Sequence, residues 1–115
     1  MFVVFMKRVI RPWGNFKQFV LNKKCTVKIL SVSPGQRLSL QKHKRRREMW
    51  YFLTGGFAQI GKKILKYNRG DSVRIGKNKA HRLISRGKEV EVLEISFGNF
   101  DEGDEVILED DYGRV

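Results

Sequence analysis

The chain of 115 residues predicts an all-β domain, a sandwich or a barrel. Three observations carry this reading. Val, Ile, Phe and Tyr come in short runs separated by Gly, Asn, Ser and Lys; no window sustains a helical repeat; and turn residues recur about every 8–12 positions, the rhythm of short strands in stacked or closed sheets. The apolar share of 41% supports one core, and the length leaves room for one domain and no second catalytic module.

Taken in order, Met1 to Met6 reads as an initial strand whose edge can pair within the fold or with another subunit. Pro12 and Gly14 make a turn that holds Trp13 against the body. Phe16 to Val20 alternates as a strand, and Asn22 to Lys24 is a hairpin tip. Cys25 to Ser33 follows as a longer strand, with Val27, Ile29 and Ser31 on one face and Lys28, Leu30 and Val32 on the other. Pro34-Gly35 ends it, because proline cannot continue a ladder and glycine supplies positive φ. Arg37 to His43 and Glu48 to Leu53 are two strands flanking a basic loop, and Thr54-Gly55-Gly56 turns the chain again. Phe57 to Ile60 and Lys63 to Tyr67 form a hairpin around Gly61-Lys62. Asn68 to Asp71 is a turn, Ser72 to Ile75 a strand and Gly76 to Lys79 a loop. Ala80 to Ser85 and the alternating region from Val90 to Ile95 are strands separated by Arg86-Gly87-Lys88. The segment from Asp101 to Asp111 holds seven of the twelve acidic residues, yet Val106, Ile107 and Leu108 give it an apolar centre. We expect a packed final strand there, with Tyr112-Gly113-Arg114 lying over the sheet.

The formal charge of +12, from 24 basic against 12 acidic residues, invites a nucleic-acid reading. The basic residues are spread along the chain, and no recognition motif accompanies them, so nucleic acid is not the expected partner. A basic nucleic-acid-binding barrel would show steeply salt-dependent binding. Cys25 is the only cysteine, which excludes an internal disulfide and points to a reducing, cytoplasmic compartment. The apolar start is too short to span a bilayer and lacks the basic start and cleavage site of a secretory signal.

The stretch from Gly35 to Gly55 is where chemistry concentrates. Gln41 and His43 share one face of an extended strand because side chains alternate with period two, and Glu48 shares a face of the next with Trp50 and Phe52. His81 is the only other histidine. Together these four form a mixed nitrogen and oxygen donor set suited to one divalent ion, Zn, Mn, Fe, Co or Ni. The structural alternative is a pair of neutral core histidines with Gln41 hydrogen-bonded nearby and Glu48 paired with a loop arginine.

The spacing Gly35-x5-Gln41-x-His43-x4-Glu48-x6-Gly55 resembles the first cupin motif, with glutamine in place of its first histidine. Gly70-x5-Gly76-x-Asn78-x2-His81-x3-Ser85 is similar to the second motif, matched at its first glycine and its histidine. Arg11-Pro-Trp-Gly14, Pro34-Gly-x-Arg-Leu-Ser-Leu-Gln41, Glu48-x-Trp50, His81-Arg-Leu83 and Glu109-Asp-Asp-Tyr-Gly-Arg114 narrow the resemblance to the type II phosphomannose isomerase cupin. That family usually reads Gln-x-His-x-His-Arg-x-Glu-His-Trp in the first motif, and here Arg45 and Met49 stand where two of its histidines do.

The resemblance implies a double-stranded β-helix, the jelly-roll barrel of the cupins, over residues 1–115: N-terminal strands in 1–34, the barrel with both motifs in 35–97 and the acidic C-terminal segment in 98–115. It implies a metal-dependent isomerase half without a nucleotidyltransferase domain, interconverting mannose 6-phosphate and fructose 6-phosphate through an enediolate. The metal would be held by Gln41, His43, Glu48 and His81. A sugar phosphate needs cations at the barrel mouth, for which the candidates are Arg46 and Arg82 with Lys28 and Lys42 behind them. Arg114, in the terminal Tyr-Gly-Arg, and Arg46 are the candidates for a role in catalysis. A homodimer through edge strands is also expected. The alternative function is a non-catalytic cupin that binds a sugar or an anion.

Overall fold

The computed structural model describes residues 6–114, so the initial strand expected over the apolar start falls outside them except for Met6. Eleven strands follow: β1 Lys7–Arg11, β2 Gly14–Gln18, β3 Cys25–Val32, β4 Leu40–Lys42, β5 Glu48–Phe52, β6 Gly56–Ile60, β7 Lys63–Tyr67, β8 Ser72–Ile75, β9 His81–Ile84, β10 Val90–Phe97 and β11 Val106–Glu109. All pairings are antiparallel, and no helix occurs among the described residues.

β1 and β2 form a hairpin of their own, β3-β10-β5-β8 make a four-stranded sheet, and β11-β4-β9-β6-β7 make a five-stranded one. From β3 onward the chain passes from one sheet to the other at nearly every connection. Only β6 and β7 are consecutive strands in the same sheet beyond β2. The expectation of an all-β domain holds, but two local pairings do not. Asn22 to Lys24 joins strands of different sheets rather than tipping a hairpin, and the strands on either side of the basic loop, β4 and β5, lie in opposite sheets. The strand expected from Arg37 to His43 is shorter: Arg37 makes one isolated bridge to Ile84, and only Leu40–Lys42 is continuous.

The inner faces of both sheets meet in one core of Val32, Trp50, Phe52, Ala58, Ile75, Leu83, Val90 and Val92. Alternation explains the membership. On β10, Val90 and Val92 point inward, followed on the same face by Glu94 and Ser96. Gly56 is fixed by this packing, because a Cβ there would stand 2.6 Å from a Val90 methyl. Gly35 supplies the turn after Pro34 with φ of 77°, as the sequence requires.

The outer side differs. Lys28, Leu30 and Val32 form the inward face of β3, leaving Val27 and Ile29 outward and more than half exposed. Trp13 does not pack against the body as expected. It is 73% exposed at the tip of the β1–β2 hairpin, because among the described residues β1 and β2 pair only with each other.

Candidate metal centre

Three buried side chains from both sheets converge at one end of the core. His43 follows β4, Glu48 opens β5 and His81 opens β9, and a donor atom of each lies within 4.8 Å of the other two. Glu48 Oε1 is 3.2 Å from His81 Nε2 and 3.5 Å from His43 Nε2. Two ligands about 2.1 Å from a common ion at angles near 90–110° stand roughly 3.0–3.4 Å apart; the 3.2 Å separation falls within that range and the 3.5 Å one just beyond it.

The hydrogen bonds around the cluster fix which atoms face it. Nδ1 of His43 lies 2.7 Å from the Asp104 carbonyl and Nδ1 of His81 lies 2.7 Å from the Lys79 carbonyl. A carbonyl only accepts, so both Nδ1 atoms donate and each Nε2 is left facing the cluster, that of His43 also 3.2 Å from Arg46 Nη2. On Glu48, Oε2 accepts from Arg46 Nε at 3.1 Å and from Ser96 Oγ at 2.9 Å, while Oε1 has no donor among the described residues. His81 Nε2 and the side-chain oxygen of Gln41 are likewise buried without a hydrogen-bond partner. Gln41 is paired directly opposite His81 across β4 and β9, which places both side chains on one face.

Orphaned acceptors of this kind cost about 1–3 kcal/mol each when buried. A cation among His43, Glu48 and His81 answers the orphaned atoms of Glu48 and His81, with Gln41 carried to the same face by its pairing with His81, and backbone carbonyls behind imidazole ligands are the usual outer support of such a site. The donor set therefore fits a divalent metal. Burial depresses the His43 pKa and outweighs the attraction of Glu48, which favours the neutral ligand form. Burial alone would raise Glu48, but His81, His43 and Arg46 hold it down to about 2, so it is ionised.

A cleft of about 730 Å³ opens beside the cluster, reaching it through Gln41 and Arg46. Lys28, Arg46 and Arg114 line it, as do Glu94, Phe100, Asp110 and Tyr112. Arg114 arrives because the tail folds back: its Nη2 donates to Ser39 Oγ at 3.0 Å, and Tyr112 Oη donates to Gln36 at 2.6 Å. Lys28 Nζ stands 4.2 Å from the Phe100 ring centre.

Three of the expected phosphate ligands are placed otherwise. Arg82 follows His81 in the strand, so it points to the opposite face of the sheet, where it donates to the Leu38 carbonyl and Glu109. Lys42 alternates away from Gln41 in the same manner and is not part of the cleft. Arg46 does line the cleft, but its nitrogens are engaged with Glu48, the Asp101 carbonyl and His43, and its guanidinium packs 4.4 Å from the Phe100 ring centre. It holds the cluster in place and has little left for a phosphate.

The sequence reading missed Glu94 and Asp104. Asp104 accepts from the backbone nitrogens of Lys44 and Arg45, both at 2.9 Å, and so fastens the acidic loop to the basic one behind His43. Glu94 is 8% exposed, accepts from Trp50 Nε1 at 3.0 Å, and is pushed up in pKa by burial and then by Glu48. A signal for it was present: it is the acid in an inward column otherwise begun by Val90 and Val92.

Comparison with known proteins agrees with this layout. A family described as mannose-6-phosphate isomerase C-terminal matches residues 3–111. The xanthan biosynthesis protein XanB of Xanthomonas campestris is 36% identical over 113 residues, covering 95% of this chain and 24% of XanB. The mannose-1-phosphate guanylyltransferase ManC of Salmonella typhimurium is 32% identical over 112 residues, covering 95% of this chain and 23% of ManC. The chain thus spans about a quarter of the length of these relatives. A Klebsiella pneumoniae protein with a double-stranded β-helix domain superposes with a TM-score of 0.66 at 13% identity, covering 93% of this chain and 85% of that one. The strand order and this likeness establish the double-stranded β-helix, and the extent of the family match establishes that the chain belongs to the mannose-6-phosphate isomerase C-terminal family.

Proposed function

We propose that the protein is a metal-dependent aldose–ketose isomerase that interconverts mannose 6-phosphate and fructose 6-phosphate. The observation that carries the reading is the orphaned acceptor cluster of Glu48, His81 and Gln41 beside a cleft lined by Lys28 and Arg114. His43, Glu48, His81 and Gln41 would hold the ion, which when bound supplies positive charge for the oxygens of an enediolate. Lys28 and Arg114 supply cationic contacts for the phosphate, and Arg46 keeps Glu48 turned toward the imidazoles.

The two departures from the family motif leave this assembly intact. Met49 is on the outward face of β5, since Glu48, Trp50 and Phe52 occupy the inward one. Arg45 is an exposed loop residue. Neither replaces a member of the cluster.

Mannose 6-phosphate incubated with the protein and, in turn, Zn, Mn, Fe, Co or Ni salts is expected to yield fructose 6-phosphate with at least one ion. Tight sugar-phosphate binding without turnover under all five would replace the isomerase reading with that of a binding cupin. We extend the proposal to a homodimer formed through the apolar outer surface of β3 and the β1–β2 hairpin, where Ile10, Trp13, Val27 and Ile29 are exposed. Sedimentation at micromolar concentration checks it, and a monomer mass throughout would refute it. A cytoplasmic location accords with the single cysteine, and no helix of the described residues is long and apolar enough to cross a membrane.

A further inference from the structure

We infer that Glu94 is the catalytic residue that carries the proton between C1 and C2 of the sugar; the inference rests on the isomerase reading above. Four observations converge on it. Glu94 lies on the inward face of β10 and lines the cleft. It is paired directly opposite Trp50, and Glu48 is two residues along from Trp50 on the same face. Such diagonal neighbours are about 7–8 Å apart. A sugar whose O1 and O2 turn toward the metal cluster therefore presents its C1 and C2 hydrogens within reach of the next carboxylate on the wall.

The carboxylate is also oriented for this work. Trp50 Nε1 donates to Oε2, the one side-chain hydrogen bond that Glu94 makes among the described residues, so one oxygen is anchored and the other is left for the cleft. Trp50 is itself fully buried and meets the His81 ring edge to face at 5.4 Å, so the anchor is tied to the cluster. Lys28 faces Glu94 from β3, where the two residues are paired. The rival acid on the cleft wall, Asp110, is differently placed. Its Oδ2 accepts from the Arg114 backbone nitrogen at 2.7 Å and lies 3.6 Å from Arg114 Nε, so this carboxylate, although its Oδ1 is also unpartnered, is tied to the tail's own cation.

The step balances without a co-reactant. Glu94 takes the C2 proton of the aldose, the C–H electron pair becomes the C1–C2 double bond, and the carbonyl pair moves onto O1. A hydroxyl proton passes from O2 to O1. Glu94 then returns its proton to C1 as the O2 electron pair forms the ketone, so nothing is oxidised or reduced overall.

The test uses full-length chain loaded with the ion that supports turnover. Glu94→Gln keeps the size of the side chain and an acceptor for Trp50 Nε1. It is expected to lower kcat by about 10²–10⁴-fold, the range for a lost general base. KM is expected to stay within about threefold and metal content unchanged, with loss of deuterium wash-in from solvent at C1 and C2 followed by NMR. Wild-type turnover together with a Glu94→Gln variant that retains more than a tenth of kcat, or that still exchanges deuterium, overturns the assignment to Glu94 alone. So does loss of wash-in in Asp110→Asn with Glu94→Gln unaffected. If Glu94→Gln loses metal or fold, Glu94→Asp decides: a kcat loss with metal retained supports the inference, and full turnover refutes it. Wild-type protein that neither isomerises nor exchanges removes the isomerase reading, and the role of Glu94 with it.

Discussion

Glu48 and Glu94 are the same residue type, both buried, on adjacent strands of one sheet, and their surroundings drive them apart. Glu48 faces two imidazoles and the Arg46 guanidinium, which hold it ionised against its burial. Glu94 has an indole donor on one oxygen and open cleft at the other, and burial raises it. The first environment suits a permanent anion that ligates a cation. The second suits a carboxyl that gains and loses a proton. Separating the affinities of two neighbouring acids in this way is how one small site obtains both an electrostatic anchor and an acid-base group.

The sharpest way to break the comparison is to remove Glu48. Glu48→Ala strips the cluster of its only carboxylate and takes from Arg46 its anionic partner, leaving the Asp101 carbonyl and His43. Metal binding is expected to weaken by roughly 100-fold or more, read by elemental analysis of protein purified without chelator. Equal metal content in wild type and Glu48→Ala would dissolve the distinction between the two acids.

A pH series on metal-free protein sharpens it further. Because Glu48 is depressed from 4.5 to about 2, its contribution, on the order of 3 kcal/mol, is present above pH 4.5 and lost as pH falls through 2. Glu94 is raised, so its sign is opposite. Stability associated with its protonated form is present below the ordinary Glu value and lost as pH rises through the raised one. Urea midpoints should therefore show Glu94→Gln more stable than wild type at pH 7, with the gap closing on acidification. A Glu94→Gln protein less stable at pH 7 would contradict that account.

Smaller changes probe the supports. Ser96→Ala removes one hydrogen bond to Glu48 Oε2 while Arg46 Nε remains. The expected cost is about 1 kcal/mol in chemical denaturation, with about 10-fold weaker metal binding. The smallest effect belongs to the outer surface: Trp13→Ala should change monomer stability by no more than about 0.5 kcal/mol. It should nevertheless shift the sedimentation profile toward monomer if the hairpin mediates assembly.

Much of the site was legible along the chain because it depends on local geometry. Period-two alternation put Glu48, Trp50 and Phe52 on one face of a strand and Gln41 and His43 on one face of another. Where alternation alone was decisive, it was also used too little. Arg82 and Lys42 sit one residue from His81 and Gln41, and that single step sends them to the other side of the sheet.

The sequence by itself determined most strands from β2 onward, the turns at Gly35 and Gly61, and the donor types of the candidate centre, because each is set by neighbours within a few residues. Tertiary structure alone decided that β4 and β5 separate into opposite sheets, that Arg46 is spent on Glu48, and that Glu94 faces the same cleft as Arg114. Those outcomes depend on which strands pair across the barrel and on how the acidic tail folds over it, and contacts between residues so distant in sequence have no local signature.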